Sequence, residues 1–439
     1  MATNKKKQGI WKRFKRYSAF QIKHMDRWVI GLSLALFGLG VLMIFRITQI
    51  VIFNNPAFLG AQDYMWQQVR LGGAGVVVMF ALIFIPHKWI RSLGWLAILA
   101  TIGLLFATLV FGVDGNDSDV RRWLYIGTFR FQPGEFARLG LIYSVAWLVY
   151  VFTKAKTFYV KDKKKLLRFL MSERVPSHRK RKYLLGSWLS VFLFIGVVFL
   201  LFFRQPDLGS AITVVGVGMV MLLCSGLPGK HIAFFLGMAL VGGLLVFNFP
   251  HLIVGGYQYE RFEIWRDPFN HPRGLQNYYG FRSIALGGLT GVGLGESVQV
   301  FGFAIEAHTD FIITIIAEEF GLLTVLAIMG AYFGIAASCF RAALKGKDLF
   351  TSMFAIGTGA LFLVQPMINL GGVSGLIPLT GITLPLLSFG GTSAFAIFLM
   401  VGVYLNCRIE IVRDNLLEKV AQKKKKEATA KILKFQKAS

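Results

Sequence analysis

The chain has 439 residues, 55% hydrophobic and 16% charged, with a mean hydropathy of +0.59. That is far too apolar for a soluble protein of this length, and repeated apolar stretches of about 20 residues mark membrane-spanning helices. The formal net charge of +26 would suit a nucleic-acid partner, but the Lys and Arg residues flank the apolar stretches, which excludes that reading.

Residues 1–27 form a basic segment, with nine Lys/Arg between Lys5 and Arg27. Ten apolar segments follow, at 28–53, 69–86, 91–112, 134–153, 186–203, 207–227, 230–249, 310–339, 349–370 and 385–407. Their runs are continuous, not alternating. This predicts an all-α polytopic integral membrane protein of about ten transmembrane helices over 28–407, and argues against a β-barrel. The first run is long and lacks a small-residue cleavage site, so no cleavable signal peptide is expected. Twelve Lys/Arg lie between Lys154 and Lys182, and the basic tail 408–439 holds Lys423-Lys-Lys-Lys426. Placing these stretches and both termini in the cytoplasm obeys the positive-inside rule. Contact with anionic membrane lipids is their natural second role. The exterior loop 113–133 breaks the pattern with Arg121, Arg122 and Arg130, balanced by Asp114, Asp117 and Asp119. Cys224, Cys339 and Cys407 lie in or at the ends of spans without CxxC spacing, so neither a disulfide nor a metal site is expected.

The large extracellular loop, 250–309, falls between the seventh and eighth spans and is too polar to cross. Loops of this length are usually functional. It ends in a glycine-rich run, Leu286-Gly-Gly-Leu-Thr-Gly-Val-Gly-Leu-Gly295. With no preceding strand, that run is no dinucleotide site; its glycines suit close backbone packing or approach to a substrate.

Carboxylates are concentrated in Glu306-Ala-His-Thr-Asp310 and Ala317-Glu-Glu-Phe-Gly321. Asp310 falls at the outer boundary, near water and beside His308 and Thr309. A carboxylate there suits a general base acting on a substrate hydroxyl, and equally suits capping of the eighth helix by Thr309 or Asp310. Glu318 and Glu319 lie roughly 12 Å deeper at ~1.5 Å rise per residue. Acids at that depth are functional candidates, with a structural hydrogen bond to a neighbouring helix the equal alternative. Arg204-Gln-Pro-Asp-Leu-Gly209 is a tight outer turn in which Asp207 can cap the sixth span. Arg122, Arg130 and, in the long loop, Arg261 and Arg266 suit phosphate or pyrophosphate, or simple pairing with the nearby acids. Pro378-Leu-Thr-Gly-Ile-Thr-Leu-Pro-Leu-Leu-Ser-Phe-Gly-Gly-Thr-Ser393 cannot be an unbroken helix. At membrane depth such backbone survives only where it is buried or lines a cavity.

Over about 28–407 the chain resembles the SEDS family, the membrane proteins of bacterial shape, elongation, division and sporulation. Pro378–Ser393 is similar to the family's terminal signature. Gln205-Pro-Asp-Leu-Gly209, Arg122-Trp123, Phe131-Gln-Pro133, Glu306-Ala-His-Thr-Asp-Phe311 and Ala317-Glu-Glu-Phe-Gly321 match as well. The resemblance implies a peptidoglycan glycosyltransferase that polymerises lipid II at the outer face of the cytoplasmic membrane. It makes Asp310 the essential acid, and the arginines or a divalent cation, Mg2+ or Mn2+, would stabilise the departing undecaprenyl pyrophosphate; no metal ligands are assigned. Substrate contacts are expected at Arg122, Arg138, Asp207, Arg261, Gln276, Glu306, His308 and Ser388. The chain departs from the family pattern at Arg138, where a lysine is usual, at Val300 and Ile305, and in Ser388-Phe-Gly-Gly-Thr-Ser393. His-Thr-Asp with Ala-Glu-Glu and the basic tail look more like the division (FtsW-like) branch than the elongation (RodA-like) branch, which implies septal enrichment and divisome partners. With no transpeptidase motif in the chain, a cognate class B penicillin-binding protein is implied as partner. A lipid flippase and a non-enzymatic scaffold are the competing functions.

Overall fold

The computed structural model describes residues 17–54, 61–113, 122–127, 129–158, 177–225, 229–299 and 307–438. Eight helices have windows apolar and long enough to cross a membrane: Arg27–Gln49, Tyr64–Phe84, Gly94–Phe111, Pro133–Val151, Lys230–Asn248, Ile312–Lys345, Leu349–Val373 and Gly391–Thr429. Leu189–Arg204 and Leu208–Leu223 are shorter apolar helices. Each of the ten expected segments overlaps one of these. The full elements are α1 (Arg27–Asn54), α2 (Ala61–Phe84), α3 (His87–Ser92), α4 (Gly94–Phe111), β1 (Leu124–Ile126) and β2 (Phe129–Phe131). They continue with α5 (Pro133–Phe158), α6 (Ser177–Arg204), α7 (Leu208–Leu223), α8 (Gly229–Asn248), α9 (Pro250–Ile253), α10 (Gly256–Arg266) and α11 (Leu275–Gly287). The last three are α12 (Ile312–Lys345), α13 (Leu349–Val373) and α14 (Gly391–Ala438).

The long helices satisfy their own backbone groups, as lipid demands. α14 lies along α2, α12 along α13, and α5 between α4 and α13. Where α2 meets α14, a Cβ on Gly402 would sit 2.8 Å from the Met79 Cα; small residues permit such close approach between membrane helices. α8 stands apart, burying none of its apolar window against the rest of the chain.

The structure adds to the expected all-helical picture in three places. Leu124–Ile126 pairs antiparallel with Phe129–Phe131 around Gly127, whose φ is +62°. The long polar segment 250–309 is not a bare loop, since it carries α9, α10 and α11. The last span begins at Gly391, six residues later than expected, because Pro385–Gly390 stays irregular. Asp114, Asp117, Asp119, Arg121 and Glu306 lie outside the described residues.

At the end of the bundle opposite Asp310, polar contacts tie the helices together. Asp26 Oδ2 accepts hydrogen bonds from Ser338 Oγ at 2.6 Å and Tyr404 OH at 2.8 Å. Asn406 Nδ2 donates to the carbonyls of Leu82 and Ile85, and its Oδ1 faces His87 Nδ1 at 3.0 Å. Burial holds the His87 imidazole below its ordinary value, against the opposing Asn406 bond and the Glu410 and Asp348 carboxylates. The unfolded chain therefore takes up this proton first as pH falls. Stability is whole above the ordinary imidazole value of about 6.5 and drains away below it. The apparent Tm in detergent is expected to fall between about pH 7.5 and pH 5.5, and His87→Gln to flatten that slope; an unchanged slope would remove His87 as its source.

Candidate functional site

The irregular stretch 374–390 is the floor on which the site is built. Its backbone closes on itself in part, with Leu387 N and Ser388 N donating to Leu384 O, and side chains from four helices complete it. Arg261 Nη1 on α10 donates to the Leu379 carbonyl at 2.9 Å, and Trp265 Nε1 to that of Gly375 at 2.8 Å. From α13, Asn369 Nδ2 donates to Ile382 O at 2.7 Å and Gln365 Nε2 to Thr383 O at 2.7 Å. Tyr332 OH on α12 donates to Pro385 O at 2.8 Å. Gln68 on α2 bonds twice, Nε2 to Ser388 O at 3.3 Å and Oε1 from Gly390 N at 3.0 Å. Ser388 Oγ closes the inner turn by accepting from Leu384 N at 2.9 Å, which lets Leu386 hold a φ of +66°.

Asp310 sits on this floor, 6% exposed, in the turn just before α12. Asn369 Nδ2, already bonded to Ile382, also donates to the Asp310 carbonyl at 2.9 Å. The preceding turn is fixed by Phe389 N donating to His308 O at 2.8 Å. Thr309 Oγ1 donates to Asp310 Oδ1 at 2.8 Å. The N-cap position of α12 is occupied by Phe311, which places Asp310 one residue and Thr309 two residues ahead of it. His308 lies between the rings of Tyr64 and Phe389, at centroid distances of 5.1 and 5.2 Å.

Two arginines gather at the other end of the same floor. Arg261 Cζ lies 4.9 Å and Arg122 Cζ 5.9 Å from the Tyr257 ring. Arg122 Nη2 donates to Pro206 O at 2.7 Å, so this guanidinium sits against the turn that holds Asp207. Leu379, which Arg261 bonds, is three residues from Ile382, which Asn369 shares with Asp310. An extended chain spans at most about 10 Å over that distance. Asp310 and Arg261 are thus tied to one short segment, and Arg122 lies beside Arg261 at the Tyr257 ring.

The remaining expected contacts divide. Asp207 caps α7, its Oδ1 accepting from Ser210 N at 3.1 Å. Asp207→Ala is expected to cost about 1 kcal/mol, read as a modest drop in apparent Tm; a larger loss of activity than of stability would give Asp207 a chemical role as well. Arg138 is bonded through Nη2, while its Nε and Nη1 have no partner among the described residues. It is 4% exposed, paired with Glu135, whose Oε2 accepts from Ser393 Oγ at 2.9 Å. The pair therefore braces the start of α14. Gln276 lies in the first turn of α11, half-buried. Glu306 lies outside the described residues. Among the described residues no three of His, Cys, Asp and Glu come together, so these side chains alone do not form a cation cage. Mg2+ commonly needs only one or two protein carboxylates when substrate phosphates supply the rest.

Sequence reasoning missed Gln68, Tyr332, Gln365 and Asn369. The signal was there, since an amide or hydroxyl inside an apolar span is costly unless it is bonded.

The family model described as cell cycle protein, covering FtsW, RodA and SpoVE, matches residues 27–411. The chain is 31% identical over 419 residues to a protein of Bacillus subtilis named probable peptidoglycan glycosyltransferase FtsW, covering 93% of this chain and 95% of that one. It is 30% identical to the stage V sporulation protein E of the same organism, covering 87% and 96%. Among solved structures it is similar to a chain of a peptidoglycan synthase complex described as coordinating polymerization and crosslinking, with TM-score 0.64 and 27% identity, covering 88% and 98%. It is also similar to the rod shape determining protein RodA of Thermus thermophilus, with TM-score 0.57 and 25% identity, covering 88% and 96%.

Proposed function

The chain belongs to the FtsW–RodA–SpoVE family, whose model it matches from residue 27 to residue 411, and on that premise we propose that it polymerises lipid II into glycan strands at the outer membrane face. The observation that carries this reading is the buried Asp310, whose backbone carbonyl shares Asn369 with Ile382 on the irregular segment that Arg261 bonds at Leu379, with Arg122 beside Arg261 at the Tyr257 ring. Asp310 accepts the proton of the acceptor's 4-hydroxyl as that oxygen attacks the anomeric carbon of the growing strand. The bond from that carbon to the pyrophosphate breaks, and the guanidiniums of Arg122 and Arg261 meet the charge that develops on undecaprenyl pyrophosphate. A divalent cation, if required, would be held by Asp310 with the substrate's phosphates and would share that charge.

His308, against Tyr64 and Phe389, shapes the acceptor side, and Gln276 on α11 is a further candidate contact. Ser388 acts through the turn it closes. Glu306 remains a candidate contact by resemblance alone. A class B penicillin-binding protein is the partner, a reading supported by the solved synthase complex. The relatives named FtsW support septal rather than side-wall synthesis, with both termini cytoplasmic; a fluorescent fusion enriched at midcell would agree, and uniform side-wall signal would assign the elongation role. The broken helices also suit a flippase, but Glu318, Glu319 and Arg138 are bonded to neighbours and do not line a continuous polar path.

The test is polymerisation of lipid II by the full chain with its transpeptidase partner and Mg2+ or Mn2+. Glycan strands are expected. If the chain yields no strands but moves lipid II across vesicle membranes, the flippase reading replaces this one.

A further inference from the structure

Glu318 and Glu319 lie two turns below Asp310, 1% exposed each, and the proposed chemistry uses neither. α12 is broken beside them, where Gly321 has φ +77° and ψ 176°. The glycine-rich run fills the break. Val292 N donates to Glu318 O at 2.9 Å and Gly293 N to Glu319 O at 3.0 Å. Leu322 N and Leu323 N donate back to the carbonyls of Gly288 and Leu289, at 2.9 and 3.2 Å. The segment expected as an outside loop thus re-enters the bundle to the depth of the two glutamates.

The Glu318 side chain completes the mooring. Its Oε2 accepts from Ser283 Oγ at 2.9 Å and Ser297 Oγ at 2.8 Å. Its Oε1 accepts from Val298 N at 2.9 Å and Gln299 N at 3.3 Å. Four donors converge on two oxygens. Ser283 lies on α11, one turn from Gly280, where an added Cβ would stand 2.7 Å from the ring of Phe311. Phe311 follows Asp310 directly. One carboxylate therefore holds the re-entrant loop and also the helix that backs the residue beside Asp310. Glu319 adds a second tie, accepting from Arg46 Nε on α1 at 2.9 Å.

We propose that Glu318 is a positioning residue of the polymerase: through Ser283, Ser297 and the Val298–Gln299 amides it fixes α11 and the re-entrant loop against the Asp310 turn. The assignment rests on the polymerase reading above. It explains why an acid is kept at this depth: backbone N–H groups can only donate, and a carboxylate is the one side chain that offers two acceptor oxygens to four donors. Glu318→Gln can keep all four bonds, its oxygen on the two amides and its NH2 donating to Ser283 and Ser297 Oγ, because a hydroxyl accepts as well as donates; Glu318→Ala removes both acceptor oxygens.

The experiment compares wild type, Glu318→Ala, Glu318→Gln and Ser297→Ala as full chains with the transpeptidase partner. It reads kcat and KM for lipid II, partner binding, and backbone hydrogen exchange. A misplacement on the order of 1 Å costs about 100-fold in rate, so Glu318→Ala is expected to lower kcat by about that factor, and Glu318→Gln to recover most of the loss. KM and partner binding should hold. Faster exchange in Glu318→Ala should be confined to 288–299 and α11. Ser297→Ala removes one bond of four and should lower kcat several-fold with little change in melting. A Glu318→Ala chain that is folded and polymerises at the wild-type rate overturns the assignment. So does a Glu318→Ala chain that only melts earlier while Ser297→Ala stays fully active, because that pattern belongs to a purely structural acid. If wild type itself makes no polymer, the polymerase reading fails and this assignment goes with it; only the first two outcomes strike Glu318 alone.

Discussion

Asp310→Asn is expected to reduce lipid II polymerisation by at least about 100-fold while the protein folds and binds its partner normally. The two side chains have the same shape. The structural tie at this position is the backbone carbonyl, which accepts from Asn369, and the substitution does not touch it. The Thr309 bond needs only an oxygen on residue 310, which asparagine retains. What asparagine cannot do is take up a proton, and general-base catalysis of this kind contributes 10²–10⁴-fold. The loss should appear in kcat, with KM for lipid II within a few-fold of wild type. Equal polymer from wild type and Asp310→Asn, with matched melting and partner binding, would remove Asp310 from the chemistry.

The second large effect concerns the break in α12. Gly321 has φ +77° and ψ 176°, a conformation that essentially only glycine adopts, and a Cβ there would lie 2.3 Å from the Leu289 carbonyl oxygen. Gly291 meets the same obstacle from the loop side, with a Cβ 2.2 Å from Glu319 O. Gly321→Ala and Gly291→Ala are each expected to cost about 3 kcal/mol or more, from backbone strain together with loss of the paired bonds across the break. Gly330 is the internal control. It lies in the same helix with nothing within 4 Å of an added Cβ, so Gly330→Ala should be neutral or stabilising by up to about 1 kcal/mol. Thermal unfolding in detergent reads all three. If Gly321→Ala melts with Gly330→Ala, the break does not depend on glycine.

Much of this architecture was legible in the sequence because lipid imposes a simple rule: about 20 apolar residues per crossing. The irregular segment at Pro378–Ser393 was legible through its prolines and glycines, and Asp310 through its place at a boundary. The supports of the floor were not. Gln68 sits beside Gln67 just ahead of an apolar run, Gln365 and Asn369 are single amides inside one, and their partners are backbone groups from 13 to 322 residues away: Ser388 O and Gly390 N, Thr383 O, and Ile382 O with Asp310 O. Arg138 was expected as a substrate contact by resemblance, and its ion pair with Glu135, three residues earlier in the same helix, was readable from the spacing. The role of Glu318 was hidden most deeply. Its four donors come from a segment whose polarity placed it outside the membrane, and only the break at Gly321 draws that segment in.

The length of α14 has a mechanical consequence. The helix begins at Gly391, directly after the floor of the site, and runs for 48 residues without interruption. It packs against α2 at Gly391 beside Leu71, at Phe395 and Phe398 beside Gly75, and at Gly402 beside Met79, so its first ~17 Å, at ~1.5 Å per residue, are clamped along their length. From Leu416 to Lys424 the helix is exposed, and Lys423 stands about 32 Å past Gly402. A sideways push on the lysine run is therefore taken up as bending of that exposed end and leaves the Asp310 floor in place.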